Sequence, residues 1–491
     1  MKLVLYNPPS SAQRKPVLPM SLLALAAVLE TEHDVAIVDG NLDDHPFAAV
    51  DARIREWGAE LLAVTVMPGP QVAGAVPLSR AVKARHPAVP VVWGGYFPTL
   101  HPEPCLADPA VDFVVRGHGE QVFADLVSAI ASGADPRAVP GLASRAPGGA
   151  VQLNPLAAIP HPDMLPDFPY RLVDVDRYVR RTFMGERTLP HHSSYGCPFL
   201  CNFCAVVNMV SGRWLAQSAM RTAAVTERLV REFGADSVEF YDNNFFVSEA
   251  RTVEFAERIR PLGISWWGEA RIDTLLRFSA RSWGAMRGAG LKMVFLGAES
   301  GSDETLKHMN KGGSASAEKT LEIAGRMREF GIVPELSFVL GSPPDPAGDI
   351  ERTLTFITRV KRVNPAAEIV LYLYSPVPLA GDLYDQASSS GFVFPATLDE
   401  WLTPTWQEFA QHRSTSLPWL PRAATKRIRG FERVLNAYYP TVTDTRLGGG
   451  WRWLLKGLSA WRYHLRIYRH PVELAALQRL LGYQRPETSG F

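Results

Sequence analysis

Tyr195-Gly196-Cys197-Pro198-Phe199-Leu200-Cys201-Asn202-Phe203-Cys204 holds three of the four cysteines of the chain in a C-x3-C-x2-C spacing. Three thiolates on one short loop can each ligate one iron of a cubane cluster, and a saturated 4Fe–4S cluster takes four such ligands. A loop that supplies three leaves one iron open, which is what catalysis at a metal requires of its centre. Two plainer readings stand beside this one: a zinc knuckle with His191 or His192 as fourth ligand, and core cysteines that cluster by chance. C-x3-C-x2-C is not a common zinc spacing, because zinc sites pair a short C-x2–4-C with a second, distant pair.

The chain surrounding the loop has room for two or three domains in 491 residues, and 46% hydrophobic residues fill their cores. Lys and Arg number 51 against 50 Asp and Glu, so no net field points to a nucleic-acid partner. Four cysteines in so long a chain argue against a disulfide framework and for a reducing compartment. The stretch Met1–Pro9 reads as too short to be a signal peptide, and no run reaches the apolar length that spans a bilayer. These readings make the cytoplasm the expected location.

Residues 1–140 alternate short apolar runs with helical patterns. Strands are expected at Leu3–Tyr6, Val35–Val38, Leu61–Val66, Val91–Trp93 and Val111–Val115, with helices between them. Such alternation gives a doubly wound parallel sheet, whose ligands lie outside the carboxyl ends of the strands. Those ends carry Asn7, Asp39, Thr65, Gly94, Gly95, Gly117 and Glu120. Their turns lack G-x-G-x-x-G, which disfavours a dinucleotide. Residues 141–187 are rich in Pro and Gly and lose periodicity, so they are expected to be an ordered connector.

Residues 188–392 alternate again. Strands are expected before Cys197 and at Ser237–Tyr241, Ile264–Trp267, Lys292–Leu296, Glu335–Leu340 and Glu368–Tyr374, making six βα units. In a barrel of such units the active residues lie at the carboxyl ends of the strands. Asp242, Asn243, Asn244, Arg271, Glu299, Gly341 and Ser342 fall there, as does the cysteine loop. The fold class is therefore α/β, with a doubly wound domain, a partial (β/α)6 barrel and a helical C-terminal domain over 393–491.

The cysteine spacing, with Phe203 before the last cysteine, resembles the radical S-adenosylmethionine (radical SAM) superfamily. The resemblance implies a 4Fe–4S cluster on Cys197, Cys201 and Cys204, whose open iron chelates SAM and cleaves it to a 5′-deoxyadenosyl radical. The run Leu296-Gly297-Ala298-Glu299-Ser300-Gly301-Ser302, with Met309 and Lys311-Gly312 beyond, resembles a radical SAM stretch as well. Implied SAM contacts are Phe203, Asp242, Asn243, Arg271, Glu299, Gly341 and Ser342; Arg271 suits a carboxylate, and Gly341-Ser342-Pro343 resembles the motif that contacts adenine. Pro376-Val377-Pro378 with Asp382-Leu383 only roughly matches the usual P-x-P-G-T stretch.

The first domain resembles the cobalamin-binding domain found ahead of radical SAM domains. Asn7-Pro8-Pro9, Val38-Asp39-Gly40, Gly94-Gly95 with Pro98-Thr99, and Gly117-His118-Gly119-Glu120 carry that likeness. Asn7, Asp39, Thr65, Gly94, Gly95, Gly117 and Glu120 are then the implied cobalamin contacts. The D-x-H-x-x-G motif that supplies a cobalt ligand is missing: the turn reads Asp39-Gly40-Asn41-Leu42-Asp43-Asp44-His45. A degenerate domain serving as scaffold remains an alternative.

The implied activity is that of the cobalamin-dependent radical SAM group related to the anaerobic magnesium-protoporphyrin ester cyclases and hopanoid methylases. Methylation of an unactivated carbon, consuming SAM twice, competes with ring cyclisation or rearrangement without methyl transfer. A zinc-stabilised ligand-binding protein is a third reading. The partners implied are a small, hydrophobic substrate and an external one-electron reductant of flavodoxin or ferredoxin type, acting on a monomer.

The last hundred residues are aromatic and basic. Trp451–Tyr468 reads as a helix with apolar and basic faces. Three roles fit it: a packed helical lid, a wall for an apolar substrate, and contact with a membrane surface.

Overall fold

The computed structural model describes residues 1–10, 16–311, 314–412, 417–444 and 447–482, so Gly312 lies outside the described residues. The chain forms two compact units.

The first unit comprises Met1–Tyr178 with Asn208–Ser211 and Val393–Ser414. Its sheet has seven strands: β1 (Lys2–Asn7), β2 (Asp34–Asp39), β3 (Leu61–Thr65), β4 (Val91–Gly94), β5 (Phe113–Val115), β6 (Leu142–Arg145) and β7 (Val151–Leu153). The order is β2-β1-β3-β4-β5-β6-β7. β1 to β5 are parallel, with Asn7 opposite Asp39 and Tyr6 opposite Val64. The chain runs from β1 outward to β2, then crosses back to β3, so the switch point lies between β1 and β3. Leu3, Val4, Leu5 and Tyr6 are all buried, as expected of a parallel strand covered on both faces. Leu3, Leu5, Leu22, Leu61, Phe123 and Leu126 form one core on one face of the sheet. Each of these large side chains contributes about 1.5–3 kcal/mol by leaving water. Residues 141–187 hold more than connecting chain: β6 and β7 add an antiparallel hairpin to the sheet edge. Their sequences, Leu-Ala-Ser-Arg and Val-Gln-Leu, are too short and polar to announce a strand.

The second unit comprises Val179–Val207, Gly212–Phe392 and Thr415–Phe491. β8 (Thr188–His191) opens it, and β9 (Ser194–Gly196) pairs with β10 (Trp214–Ala216) in a small hairpin that carries the cysteine loop at its tip. β11 (Ser237–Phe240), β12 (Ser265–Ala270), β13 (Leu291–Glu299), β14 (Val333–Leu340) and β15 (Glu368–Leu373) follow, in the sheet order β15-β14-β13-β12-β11-β8. All adjacent pairs are parallel, which gives the expected six-stranded partial barrel. Side chains alternate between the two faces. Trp266 points outward among Phe240, Phe245 and Phe255, while Trp267 points inward with Met184 and Met293. Three helices, Arg422–Tyr438, Gly449–Leu465 and Val472–Leu480, end the described chain. The helix expected to reach Tyr468 stops at Leu465, where Arg466 takes a left-handed φ of 56°. No helix among the described residues is long and apolar enough to cross a membrane.

Candidate active site

Gly196 closes β9 with a φ of 78°, a conformation open to glycine, and turns the chain into the cysteine loop. That loop is clamped to the Met309–Lys311 stretch. The Asn202 backbone N–H donates to the Met309 carbonyl at 3.2 Å and its side-chain amide to the His308 carbonyl at 2.8 Å. The Asn310 amide donates to the Leu200 carbonyl at 2.7 Å.

Arg271, just past the end of β12, ties the loop to the barrel. Its Nε and Nη2 donate to the two carboxylate oxygens of Asp273 at 3.0 and 3.1 Å. Nη2 also donates to the Lys311 carbonyl, and Nη1 reaches the Cys201 Sγ at 3.4 Å. The guanidinium lies 3.8 Å from the centre of the Phe199 ring. Arg271 thus commits four of its five N–H donors to Asp273, Lys311 and Cys201, which leaves one Nη1 hydrogen uncommitted among the described residues.

Glu299 has a φ of 60°, rare for a residue with a side chain and found where a site stores strain. Its carboxylate accepts from the Lys311 ammonium, which also stands 5.7 Å over the Phe203 ring. Gly297 lies beneath this pair: a Cβ there would meet Glu299 Oε1 and Lys311 Nζ, so the ends of both side chains would have to shift. Lys311 is therefore a site residue that the motif contained but to which sequence reasoning gave no role.

Asp242 is fully buried and accepts from the Ser193 hydroxyl at 3.0 Å. Asn243 is exposed, whereas its neighbour Asn244 is buried and points its amide at the Cys197 Sγ, 3.7 Å away. Both lie in the turn after β11, and of the two it is Asn244 whose amide reaches the cysteine loop. Gly341 has a φ of 78° and its carbonyl accepts from the Trp419 indole at 2.9 Å. Ser342 is buried, and its hydroxyl has no hydrogen-bond partner among the described residues. A buried hydroxyl left free suits a polar ligand group.

Deeper in the barrel, register places Glu269, Phe295, Glu335 and Glu368 in one layer. Glu368 turns to Thr441 and the backbone of residues 442 and 443. Glu335 Oε2 accepts from the Trp267 indole at 3.2 Å, while its Oε1 is buried without a partner among the described residues. Burial, and then the charge of Asp242, push the Glu269 carboxyl up to about 8. Burial also pushes Glu335 well above the usual range, opposed by the Trp267 hydrogen bond and helped by the neighbouring carboxylates. Near neutral pH Glu269 is thus a proton donor in the barrel interior, and Glu335 takes up a proton more readily than an ordinary carboxylate. Sequence reasoning passed over them because a Glu inside an apolar strand run carries no local signal.

The three thiols fit a cluster. Burial pushes Cys204 up to about 12 and Cys201 upward, while the charges of Lys311 and, on Cys201, Arg271 favour the thiolates a metal needs. Among the described residues no three His, Cys, Asp or Glu side chains converge as ligands of a single ion. A cubane spreads its ligands over three irons, so its cysteines need no such convergence. His191, weighed as a zinc ligand, turns its Nε2 to the Gln217 carbonyl oxygen at 3.1 Å.

In the first unit the strand ends are assembled as expected, but their side chains divide into two groups. Asn7 and Asp39 are knitted together. Asp39 Oδ1 accepts from the Asn7 amide at 3.1 Å and from the Asn41 backbone and side chain at 2.8 Å each, and its Oδ2 accepts from Tyr178 at 2.9 Å. The Asn7 side-chain oxygen accepts from Gln71 at 2.8 Å. These two residues build the edge of the site. The second group is Thr65, Gly94, Gly95 and Gly117. Gly95 has a φ of 99°, and a Cβ on it would press to 3.2 Å from the Val66 backbone N and O. The Gly117 N–H donates to Thr99 Oγ1 at 3.0 Å, and Thr99 in turn donates to the Gly95 carbonyl at 2.7 Å. Bare backbone at adjacent strand ends is a surface that a large flat ligand can approach closely. Glu120 is buried at the start of the following helix. His45 is exposed, so the turn after β2 offers no buried imidazole.

Comparison with known proteins finds a family for each of the two domains. The B12 binding domain family matches residues 14–127, and the radical SAM superfamily matches residues 192–357. The chain carries a B12-binding domain followed by a radical SAM domain. It is 28% identical to an uncharacterized methyltransferase of Pyrococcus horikoshii, over 73% of this chain and 78% of that protein. It is also 28% identical to the anaerobic magnesium-protoporphyrin IX monomethyl ester cyclase of Synechocystis, over 69% of this chain and 68% of that one. In fold it is similar to the radical SAM methyltransferase TsrM of Kitasatospora setae, solved with cobalamin and a 4Fe–4S cluster (TM-score 0.64, 20% identity, 80% of this chain and 78% of that one). The cofactor set of the family is accordingly cobalamin, a 4Fe–4S cluster and SAM.

Proposed function

We propose that this enzyme transfers a methyl group to an unactivated carbon of a small, hydrophobic substrate. The observation that carries the reading is one chain holding both a three-cysteine loop braced by Arg271 and a cobalamin-binding sheet. When bound, the cluster and SAM supply a carbon radical on the substrate, and cobalamin supplies the methyl group. The protein's share is to bind and orient. Cys197, Cys201 and Cys204 hold the cluster, and Arg271 fixes the loop. Glu299 with Lys311, and Ser342, offer polar groups for the zwitterion and nucleoside of SAM. In the first unit Thr65, Gly94, Gly95, Gly117 and Glu120 line the corrinoid site, with Asn7 and Asp39 as its frame. Glu269, protonated, can donate a hydrogen bond to a substrate in the barrel, and Glu335 lines the same interior.

A second reading, cyclisation or ring rearrangement without methyl transfer, is favoured by the likeness to the Synechocystis cyclase. Four cysteines, none of them in a disulfide, support a reducing cytoplasm, and a flavodoxin or ferredoxin is the fitting electron donor. The chain is taken to act as a monomer. The test is anaerobic reconstitution with iron, sulfide and hydroxocobalamin, followed by incubation with SAM and a reductant. About four irons and one cobalt per chain, with both 5′-deoxyadenosine and S-adenosylhomocysteine formed, support methyl transfer. Formation of 5′-deoxyadenosine without S-adenosylhomocysteine favours the second reading. Iron without cobalt reduces the first domain to a scaffold.

A further inference from the structure

The C-terminal helices leave an apolar face that none of the described residues covers. In the Gly449–Leu465 helix, Leu455, Ser459, Arg462 and Tyr463 are buried, and Tyr463 stacks on Tyr438 of the Arg422–Tyr438 helix with ring centres 4.3 Å apart. Next to this buried arc, at 100° per residue, Trp451, Leu454, Leu458, Trp461 and Leu465 share a second arc of roughly 80°. Trp451 is 47% exposed, Leu458 46%, Trp461 48% and Leu465 66%. Ile467, Val472 and Leu480 extend the exposed apolar surface beyond the helix. Monomeric proteins seldom leave so continuous a stripe uncovered.

Charge decides what covers it. Residues 421–482 hold 12 Lys and Arg against 3 Asp and Glu, in a chain whose net charge is +1. Of the acidic residues, Glu473 is bound by Arg462 and Asp444 is buried. Lys426, Arg429, Lys456, Arg466 and Arg469 are exposed. A second copy of this chain would bring one strongly cationic surface against another. An anionic lipid surface accepts both features at once: Trp and Leu enter the headgroup boundary while Lys and Arg meet lipid phosphates. We infer that the exposed Trp451–Leu465 face docks the enzyme on an anionic membrane surface. The helix lies in the interface and does not cross it. This placement delivers the catalytic units to substrates that partition into lipid.

Vesicle co-sedimentation of the reconstituted full chain tests this, with phosphatidylcholine vesicles and with vesicles also containing phosphatidylglycerol. Anionic vesicles should bind about tenfold or more tightly than neutral ones, with binding falling as salt is raised. Trp451→Ser with Trp461→Ser should weaken that binding by about tenfold or more. Arg466→Glu with Arg469→Glu should weaken it to a similar degree while leaving light scattering and circular dichroism unchanged, since these side chains are exposed. Absence of binding to anionic vesicles would overturn the inference, as would binding unaffected by the Trp pair. A dimer in solution that the Trp pair converts to monomer would also overturn it, by giving the face to a second copy.

Discussion

The Nη1 of Arg271 lies 3.4 Å from the Sγ of Cys201. A cation donating to a cluster-ligating sulfur stabilises the reduced, more negative cluster and so raises its potential. Arg271→Ala should shift the reduction potential downward by on the order of tens of millivolts. It also strands the Asp273 carboxylate, which costs about 3–5 kcal/mol when a buried pair loses one partner. Arg271→Lys keeps the charge but loses the fork and should fall between the two. A spectroscopic redox titration, with thermal unfolding in parallel, separates the electrostatic effect from the structural one. An unchanged potential in Arg271→Ala would remove the residue from the cluster's electrostatics.

Cys201 is the middle ligand, and the loop is held by its backbone as well as by its thiols. Cys201→Ala should therefore leave the loop clamped through Asn202 and Asn310. Iron content and the ability to cleave SAM should both be lost, with unfolding temperature lowered by only a few degrees. Full SAM cleavage in this variant would overturn the cluster assignment.

Gly297 sits under the Glu299–Lys311 pair, and its absent side chain is the pair's space. Gly297→Ala should force the two apart. The expected result is SAM affinity reduced by at least tenfold, about 1.4 kcal/mol, in a protein that keeps its iron. Glu299→Gln removes the ion pair without adding volume and should give a smaller loss. Equilibrium binding of SAM to the reconstituted protein reads both. Equal affinities in all three proteins would make the pair structural only.

The parallel strands of both sheets were legible because strands buried on both faces read as apolar runs, as at Leu3–Tyr6 and Val91–Trp93. The cysteine loop was legible because its spacing is local. What stayed hidden was non-local or decided by register. Nothing in Val151-Gln152-Leu153 shows that it completes a sheet, and nothing local assigns residues 393–414 to the first unit. Asn243 and Asn244 are one position apart, yet only the second faces a thiol. Arg271 and Glu299 were found by their place at strand ends. Their partners Asp273, in the short helix Ile272–Leu275, and Lys311 lie further along the chain, and the first pairing adds a brace for the cysteine loop that the strand end alone does not announce.

Glu269 ties stability to pH. Its carboxyl is held near 8 in the folded chain, against an ordinary value of 4.5. A group whose folded value is raised contributes stability that is complete below the unfolded value and is lost as pH rises through the folded one. Glu269→Gln should thus match the wild type near pH 5 and exceed it near pH 9, by on the order of 2 kcal/mol once screening in the partly open barrel is allowed for. The difference between the two unfolding temperatures, followed across pH, isolates this group from every other titration. A difference that stays flat would place the Glu269 carboxyl in water.

Asp39 and Gly95 should fail in different ways. All the donors around Asp39 belong to the protein: Asn7, Asn41 twice and Tyr178. Asp39→Ala leaves those groups buried and unpaired, a loss of about 1–3 kcal/mol per uncompensated group, and should destabilise the first unit. Cobalamin affinity per folded molecule should fall little, because the carboxylate already accepts four hydrogen bonds from the protein that hold the frame together. Gly95→Ala places a Cβ against the Val66 backbone at a φ of 99°. It must move the chain at the strand end itself, where the corrinoid would lie. Cobalamin retained after gel filtration, normalised to folded protein by circular dichroism, should drop at least tenfold in Gly95→Ala and less than threefold in Asp39→Ala. The reverse ranking would make Asp39 a direct cobalamin contact and the glycine a bystander.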